Sequence, residues 1–381
     1  MVTFINRAGT MVIPFLSLYL TSDMGLDLKE VGWIMSSFGA GSVLGSWIGG
    51  KLTDRLGFYH IMVGTLLISG IAFILLQLIE GFYPFCIGIF FLTLILDSFR
   101  PALFVALRGY ARPENRTRAV TLIRLAINLG FSMGPAIGGI IITTLSYAGL
   151  FWVDGITCML AAAILVITLP RRELSELEEK REDTADRSPY KDGSFLLAML
   201  VTVLVSIPFV QYFSTIPLFY KEVHFMSEAQ IGLLLGFNGL LIFLAEMPLI
   251  QWCEQKKFDL FNILIFSVGL FGLSFIVINI FPSISFLWVG MALMTIGEML
   301  NFPFMNRFVF DRSDNGPPGA YMALFTIAWS VAHIFGHNLG MRSVDNLGYS
   351  ATWWLCAVCL VIAALFIVIL KARVRQEENR Q

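Results

Sequence analysis

Charge is scarce in this chain. Of its 381 residues, only 14% are Asp, Glu, Lys or Arg, where a soluble domain carries roughly 25%. A chain so poor in charge cannot cover itself against water, so most of its surface faces lipid. The few charges nearly cancel, to a net −1, which leaves no basic field to hold nucleic acid. Cysteine is sparse too. Cys86, Cys158, Cys253, Cys356 and Cys359 all lie in or beside apolar runs. Cys356 and Cys359 do form a C-x-x-C, but inside "WWLCAVCLVIAALFIVIL", without the polar surroundings and further ligands of a redox or zinc pair. The sequence has no H-E-x-x-H, no G-x-S-x-G and no P-loop. That argues against a membrane-embedded enzyme and against an ATP-driven pump, and it implies no cofactor.

What is present is apolar, at 57% of residues. A membrane-spanning helix needs about 20 mostly apolar residues, and twelve such runs can be read. They lie near 2–21, 31–50, 58–79, 82–105, 118–143, 148–170, 194–220, 229–252, 258–280, 283–306, 317–341 and 348–370. The first run holds Asn6, Arg7 and Pro14 and lacks an A-x-A-like site, so it reads as a first transmembrane helix rather than a cleavable signal peptide. It begins almost at the first residue, as it would if the true start lay upstream.

An even number of spans puts both termini on one side, and charge says which. With the N-terminus cytoplasmic, the inside connections and the tail hold twenty of the 26 Lys and Arg, while the outside loops hold only Lys29, Lys221 and Arg342. This positive-inside bias sets the orientation. The longest polar stretch, "RRELSELEEKREDTADRSPYKDGS" (171–194), follows the sixth run. The expected organisation is a six-helix bundle over 1–170, a cytoplasmic linker over 171–193 with no chemistry of its own, and a second six-helix bundle with a short cytoplasmic tail over 194–381. The halves align weakly. Asp54 faces Glu254 at an offset of 200, and Pro101 faces Pro303 at 202, as in parallel repeats about an axis along the membrane normal.

Between the second and third runs stands "GGKLTDRLG". Gly41, Gly45 and Gly49 recur every four residues before it, so one face of that helix is bare and a neighbour can approach closely. Gly57 permits a tight turn. In this loop the chain resembles the major facilitator superfamily, whose signature G-x-L-x-D-R-x-G is met by Gly50, Leu52, Asp54, Arg55 and Gly57. Phe58-Tyr59-His60 stands where a basic residue is common. The resemblance covers the whole chain. It implies an all-α integral membrane protein of twelve helices in two six-helix bundles. It also implies a conformational latch built from Gly50, Asp54, Arg55 and Gly57. A hydrophilic turn with ordinary inside charge is the plainer reading of the same residues.

A second likeness lies in "NLGFSMGPAIGG" (128–139). It resembles the G-x-x-x-G-P-x-x-G-G motif associated with proton-coupled antiporters of the superfamily, through Gly130, Gly134, Pro135, Gly138 and Gly139. Glycines four apart pack closely and Pro135 bends the helix, whatever the direction of transport. The first run, "FINRAGTMVIPFLSLYL", looks like the first helix of the peptide:proton symporters, but no glutamate precedes Arg7 as their E-x-x-E-R pattern requires.

Charges inside spans each call for an explanation, since one costs on the order of 2.5–3.5 kcal/mol at a helix centre. Asp97 and Arg100 share a helix face, as do Arg124 and Asn128. Arg7, Glu246, Glu298, His333 and Asp154, near the outer end of the sixth run, are among the others. As a set they point to a polar cavity. Asp97 and Glu298, at similar positions in the two halves, are the candidate proton-coupling groups, with Arg100 the partner of Asp97. A carboxylate whose partner leaves can take up and release a proton. His333 and His337 are spaced i, i+4 without an obvious third ligand, so they suggest cavity lining rather than a metal. The 34 Phe residues suit packing and lipid-facing surface, with some available to line a pocket for hydrophobic solutes.

These observations converge on a secondary transporter working by alternating access in a bacterial inner membrane, with both termini cytoplasmic. Its expected partners are protons, a small-molecule substrate and the lipid bilayer, and the resemblance implies a monomer. Export of small amphipathic or drug-like molecules is the first expectation. Proton-driven uptake of a small solute such as a short peptide is the alternative.

Overall fold

The computed structural model describes residues 5, 11–110, 116–171, 188–313 and 318–379. Arg7 lies outside them, and so does the Arg124 side chain. The described chain is built of helices. They are α1 (Val12–Leu18, continued by a π turn Tyr19–Asp23), α2 (Leu28–Leu56), α3 (Phe58–Leu76), α4 (Phe82–Tyr110), α5 (Arg116–Leu145) and α6 (Tyr147–Thr168). After a 3-10 turn at Pro189–Lys191 come α7 (Gly193–Gln211), α8 (Thr215–Glu222), α9 (Glu228–Gln255), α10 (Leu260–Ile280), α11 (Ile284–Ser313) and α12 (Pro318–Glu378). Among the described residues, nine helices are long and apolar enough to cross a membrane. α2 has the length but not the hydropathy, because Gly and Ser are frequent in "VGWIMSSFGAGSVLGSWIGG".

Three apolar runs differ in detail from the sequence reading. The seventh is broken at Tyr212–Ser214, between α7 and α8. Pro217 has no N–H to give to the Phe213 carbonyl and its ring crowds that turn, so the chain restarts as a new helix. The last two runs join in α12, interrupted at Gly348, whose φ of 81° and ψ of 170° suit glycine alone.

By contacts the chain divides into two compact units, Met1–Lys180 with Pro217–Leu240, and Arg181–Ile216 with Leu241–Gln381. In the first, the bare face of α2 lies on α4. A β-carbon on Gly49 would come within 2.5 Å of Ser98 Cα, and Gly41 and Gly45 are as tight against Phe90 and Leu94. Ser98 and Thr93 tie the seam by donating to the carbonyls of Gly45 (2.9 Å) and Phe38 (3.1 Å). Phe58, Met62, Phe99, Ala102 and Ala161 fill the core where α3, α4 and α6 meet. In the second unit, α7 packs along α12, and α10 packs on α11 and α12. Trp353, Phe271 and Phe275 are wholly buried there, and the Tyr212 hydroxyl donates to Ser274 at 2.8 Å. Leu355, Val358, Val361 and Leu365 stay exposed on α12, as lipid-facing side chains do.

Candidate functional site

The motif turn ends α2. Gly57, at φ 82°, closes the helix with its N–H on the Thr53 carbonyl and opens α3. Asp54 and Arg55 are exposed, and neither enters an ion pair among the described residues. Gly50 has open space around it, so in this conformation the signature side chains are solvated.

Two and a half turns along α4 from Gly88 sits Asp97. The glycine seam brings it to α2, where the Ser42 hydroxyl donates to its carboxylate. Asp97 is half-buried, while Arg100 is exposed and forms no ion pair with it. The carboxylate is thus held by a hydroxyl from the neighbouring helix, not by the cation one turn away. Asn128 is half-buried on α5.

All five motif residues of α5 (Gly130, Gly134, Pro135, Gly138 and Gly139) are buried. Pro135, Gly138 and Gly139 face two elements. A β-carbon on Gly138 would meet Met11 and Phe15 of the α1 segment at 3.1 Å. The other face lies against the first half of α9. There a β-carbon on Gly139 would sit 2.9 Å from Ala229 Cα, and one on Gly239 would sit 2.5 Å from the Ser132 nitrogen. Gly232 comes equally close to Pro135. Ser132 donates to the Gly236 carbonyl at 2.9 Å. The α9 stripe of Gly232, Gly236 and Gly239 has helical spacing and was legible in "IGLLLGFNG", but its partner was not. At the end of this seam Glu228 accepts from Lys221 (2.7 Å) and from the Tyr147 hydroxyl (3.2 Å). Only the small-residue faces allow these helices so close.

Asp154, on α6, is wholly buried. Its two carboxylate oxygens accept from the backbone N–H groups of Met11 (2.9 Å) and Val12 (2.8 Å).

In the second unit, Glu246 is buried on α9 and Glu298 is half-buried on α11, one turn before Asn301, which donates to Ser267 at 2.9 Å. His333 lies in an aromatic series. Phe209 meets Phe302 at 4.9 Å between ring centres, Phe302 meets Trp329 at 4.8 Å, Trp329 stacks on His333 at 6.2 Å, and His333 is 5.6 Å from His337. Glu254, the residue aligned with Asp54, reaches Arg307 at 3.8 Å in a half-exposed pair, which contributes little to stability.

The linker's end does more than connect. Asp192 caps α7 by accepting from the Phe195 N–H (2.9 Å) and takes a bidentate pair from Arg312 (2.7 and 2.8 Å). Arg312 also binds Glu377, Tyr321 donates to Asp192 at 3.2 Å, and Ser194 donates to Glu377 at 2.6 Å. The Asp192 carboxylate thereby ties the start of α7 to the end of α11 and the start of α12, and Glu377, through Arg312 and Ser194, adds the end of α12. Burial alone would push the Asp192 carboxyl up. The Arg312 guanidinium, the Phe195 N–H and the Tyr321 hydroxyl outweigh it and hold the group below the ordinary carboxylate range. In sequence the stretch 171–193 has the composition of a solvated connector. Nothing in it signals Asp192, whose partners lie 120 and 129 residues away.

Among known proteins, residues 1–337 match the model of the Major Facilitator Superfamily. A Na(+), Li(+), K(+)/H(+) antiporter of Planococcus maritimus is 25% identical over 366 residues, covering 87% of this chain and 85% of that protein. The nucleoside transporter NupG shares the fold at a TM-score of 0.79 with 14% identity, over 97% of this chain and 98% of that one. A POT family transporter solved with 5-aminolevulinic acid does so at 0.80 with 14% identity, over 98% and 95%. With its helical architecture, its loop signature and a family match over most of its length, this chain belongs to the Major Facilitator Superfamily and is a multi-pass membrane transporter, not an enzyme.

Proposed function

We propose that this transporter exchanges protons for a small amphipathic or drug-like solute, moving the solute out of a bacterial cell across the inner membrane. In this reading twelve spans form two bundles, 1–170 and 194–381, joined by the linker 171–193, with both termini in the cytoplasm. Alternating access moves one bundle against the other. The observation that carries the reading is the α5–α9 seam. The antiporter-type motif of α5 is buried, glycine against glycine, on the first half of α9. Such a seam forms a tight closure that needs no side chain to unpack when it parts. The cation/proton antiporter among the relatives supports the same direction.

Within this account Asp97 and Glu298 carry the coupling proton. Arg7, Arg100, Arg124, Asn128, Glu246 and His333 line the polar path. Gly50, Asp54, Arg55 and Gly57 latch the cytoplasmic side in the opposite conformation. A second reading takes monovalent cations as the exported solute, favoured by the name of that relative alone. Peptide uptake has less behind it. Its motif lacks the glutamates ahead of Arg7, and structures at 14% identity speak for the fold only.

The test is proton release from inverted membrane vesicles with an acidified lumen. Lipophilic cations, Na+, Li+, K+ and short peptides are added in turn, to the intact chain and to Asp97→Asn with Glu298→Gln. Release triggered by an amphipathic compound and lost in the double variant is the expected result. Release by Na+, Li+ or K+ alone selects the second reading. Release unchanged in the variant removes Asp97 and Glu298 from the coupling role.

A further inference from the structure

We propose that Asp154 is a proton-binding site that governs how the α1 segment is held. The argument starts at Pro14. It has no N–H, so it cannot donate to the Thr10 carbonyl, and its ring crowds that position. A helix is therefore free to start just before Pro14, and α1 starts at Val12 with Met11 as its cap residue. The Met11 side chain does not cap, and a helix start inside the membrane needs acceptors for its first N–H groups. Asp154 supplies both acceptors from α6, one oxygen to each N–H, at 2.9 and 2.8 Å.

Structural capping alone needs no titratable group. An Asn, a Ser or a carbonyl serves a helix start inside a bundle without burying a charge. Asp154 is wholly buried, and no cation among the described residues lies within ion-pair distance of it. The elements around it offer few ionisable groups. α3 has none between Ile61 and Leu76. α5 carries only Arg124 in the stretch 120–145, and its side chain lies outside the described residues. The α1 segment carries Tyr19 and Asp23, Arg7 precedes it in the first run and lies outside the described residues, and α6 itself carries Tyr147 and Cys158. Among the described residues the carboxylate is thus balanced by two neutral N–H donors, and taking up a proton removes the buried charge.

Protonation changes the geometry. The carboxylate plus one proton becomes a carboxylic acid, and the oxygen that takes the proton becomes a hydroxyl. The N–H bond to that oxygen weakens, because a hydroxyl oxygen is a poorer acceptor than a carboxylate oxygen, and the hold on α1 shifts to the other oxygen. A solvent proton is the only reactant. Because Gly138 of the α5 motif packs against Met11 and Phe15, this change reaches the α5 face opposite the α9 seam. The inference deepens the proton-coupled reading and rests on it for its role in transport. The protonation itself stands apart from that reading.

The experiment is pH-difference infrared spectroscopy of the full chain in liposomes, from about pH 5 to about pH 9, comparing the intact protein with Asp154→Asn. We expect a protonated-carboxyl band in the intact protein that shrinks at least about tenfold across the range and is missing in the variant. A spectrum with no band assignable to Asp154 overturns the inference. Should the variant not insert, carbodiimide labelling of the intact protein followed by peptide mass analysis decides. Modification of Asp154 that rises at acid pH supports the inference, and an unmodified Asp154 at every pH overturns it. The two proposals fail separately. Vesicles without proton movement remove the coupling reading but leave the band, while a missing band with proton movement intact removes only Asp154.

Discussion

Adding one methyl group to the α5–α9 seam should unbalance the transport cycle. In Gly139→Ala the new β-carbon would overlap the Glu228 carbonyl oxygen and sit 2.9 Å from Ala229 Cα, where carbon atoms prefer about 3.5–4.0 Å. The two helices must part by roughly 1 Å. That movement stretches the Ser132–Gly236 bond from 2.9 Å to the edge of hydrogen-bond range. Overpacking costs about 1–3 kcal/mol and the strained bond about 1 kcal/mol. The cost falls on the closed seam alone, because a parted seam has room for the methyl. A bias of about 2–4 kcal/mol corresponds to roughly 30- to 700-fold in the closed-to-open ratio. The assay is the labelling rate of a cysteine placed at Ala136, inside the seam, by a membrane-impermeant maleimide. The rate should rise at least about tenfold in Gly139→Ala, and solute transport should slow. Gly269→Ala, which has open space around its added carbon, is the control and should change neither. Unchanged labelling and unchanged transport in Gly139→Ala would refute the claim that this closure forms and parts in the cycle.

Three further outcomes follow from other parts of the structure. Gly57→Ala places a β-carbon at φ 82°, a strained conformation costing about 1–3 kcal/mol, and thermal unfolding in detergent should show that loss. Gly49→Val drives its side chain into Ser98, so the α2–α4 seam cannot close. Folded yield, read by gel filtration, should fall sharply while Gly50→Val, with nothing near it, is tolerated. Arg312→Met leaves Asp192 without its cation where the carboxylate is only 7% exposed, and should cost about 2–4 kcal/mol at neutral pH. Asp192 is held below its ordinary value, so its contribution is present above about pH 4 and lost as pH falls through the lower folded value. The stability gap between intact protein and variant should accordingly stay constant down to about pH 5 and narrow below it.

The helices were legible because a span needs a long apolar run, and the described parts of these runs are helical apart from breaks such as that at Tyr212–Ser214. The α2 glycine stripe was legible as well, since Gly41, Gly45 and Gly49 bare one face by spacing alone. What such a face meets is another matter. The identity of α4 and of α9 as partners depends on how the bundle closes, which local periodicity does not encode. The same limit applies to Asp97. Its neighbour Arg100 was the obvious partner along the helix, yet the seam delivers Ser42 from 55 residues away. Asp154 shows the limit most clearly. One carboxylate in "LFWVDGIT" says nothing about the two backbone N–H groups more than 140 residues away that it binds. The α7–α8 break was missed for a simpler reason, because hydropathy is blind to Pro217.

The central claim is that an inward proton flow drives an outward solute flow through this chain alone. The direct measurement uses liposomes holding only the purified protein, acidified inside, with a responding amphipathic cation added outside. The account predicts that the cation accumulates in the lumen above its outside concentration and leaks back when a protonophore collapses the gradient. A cation that merely equilibrates, or that concentrates only when the acid is placed outside, would contradict it.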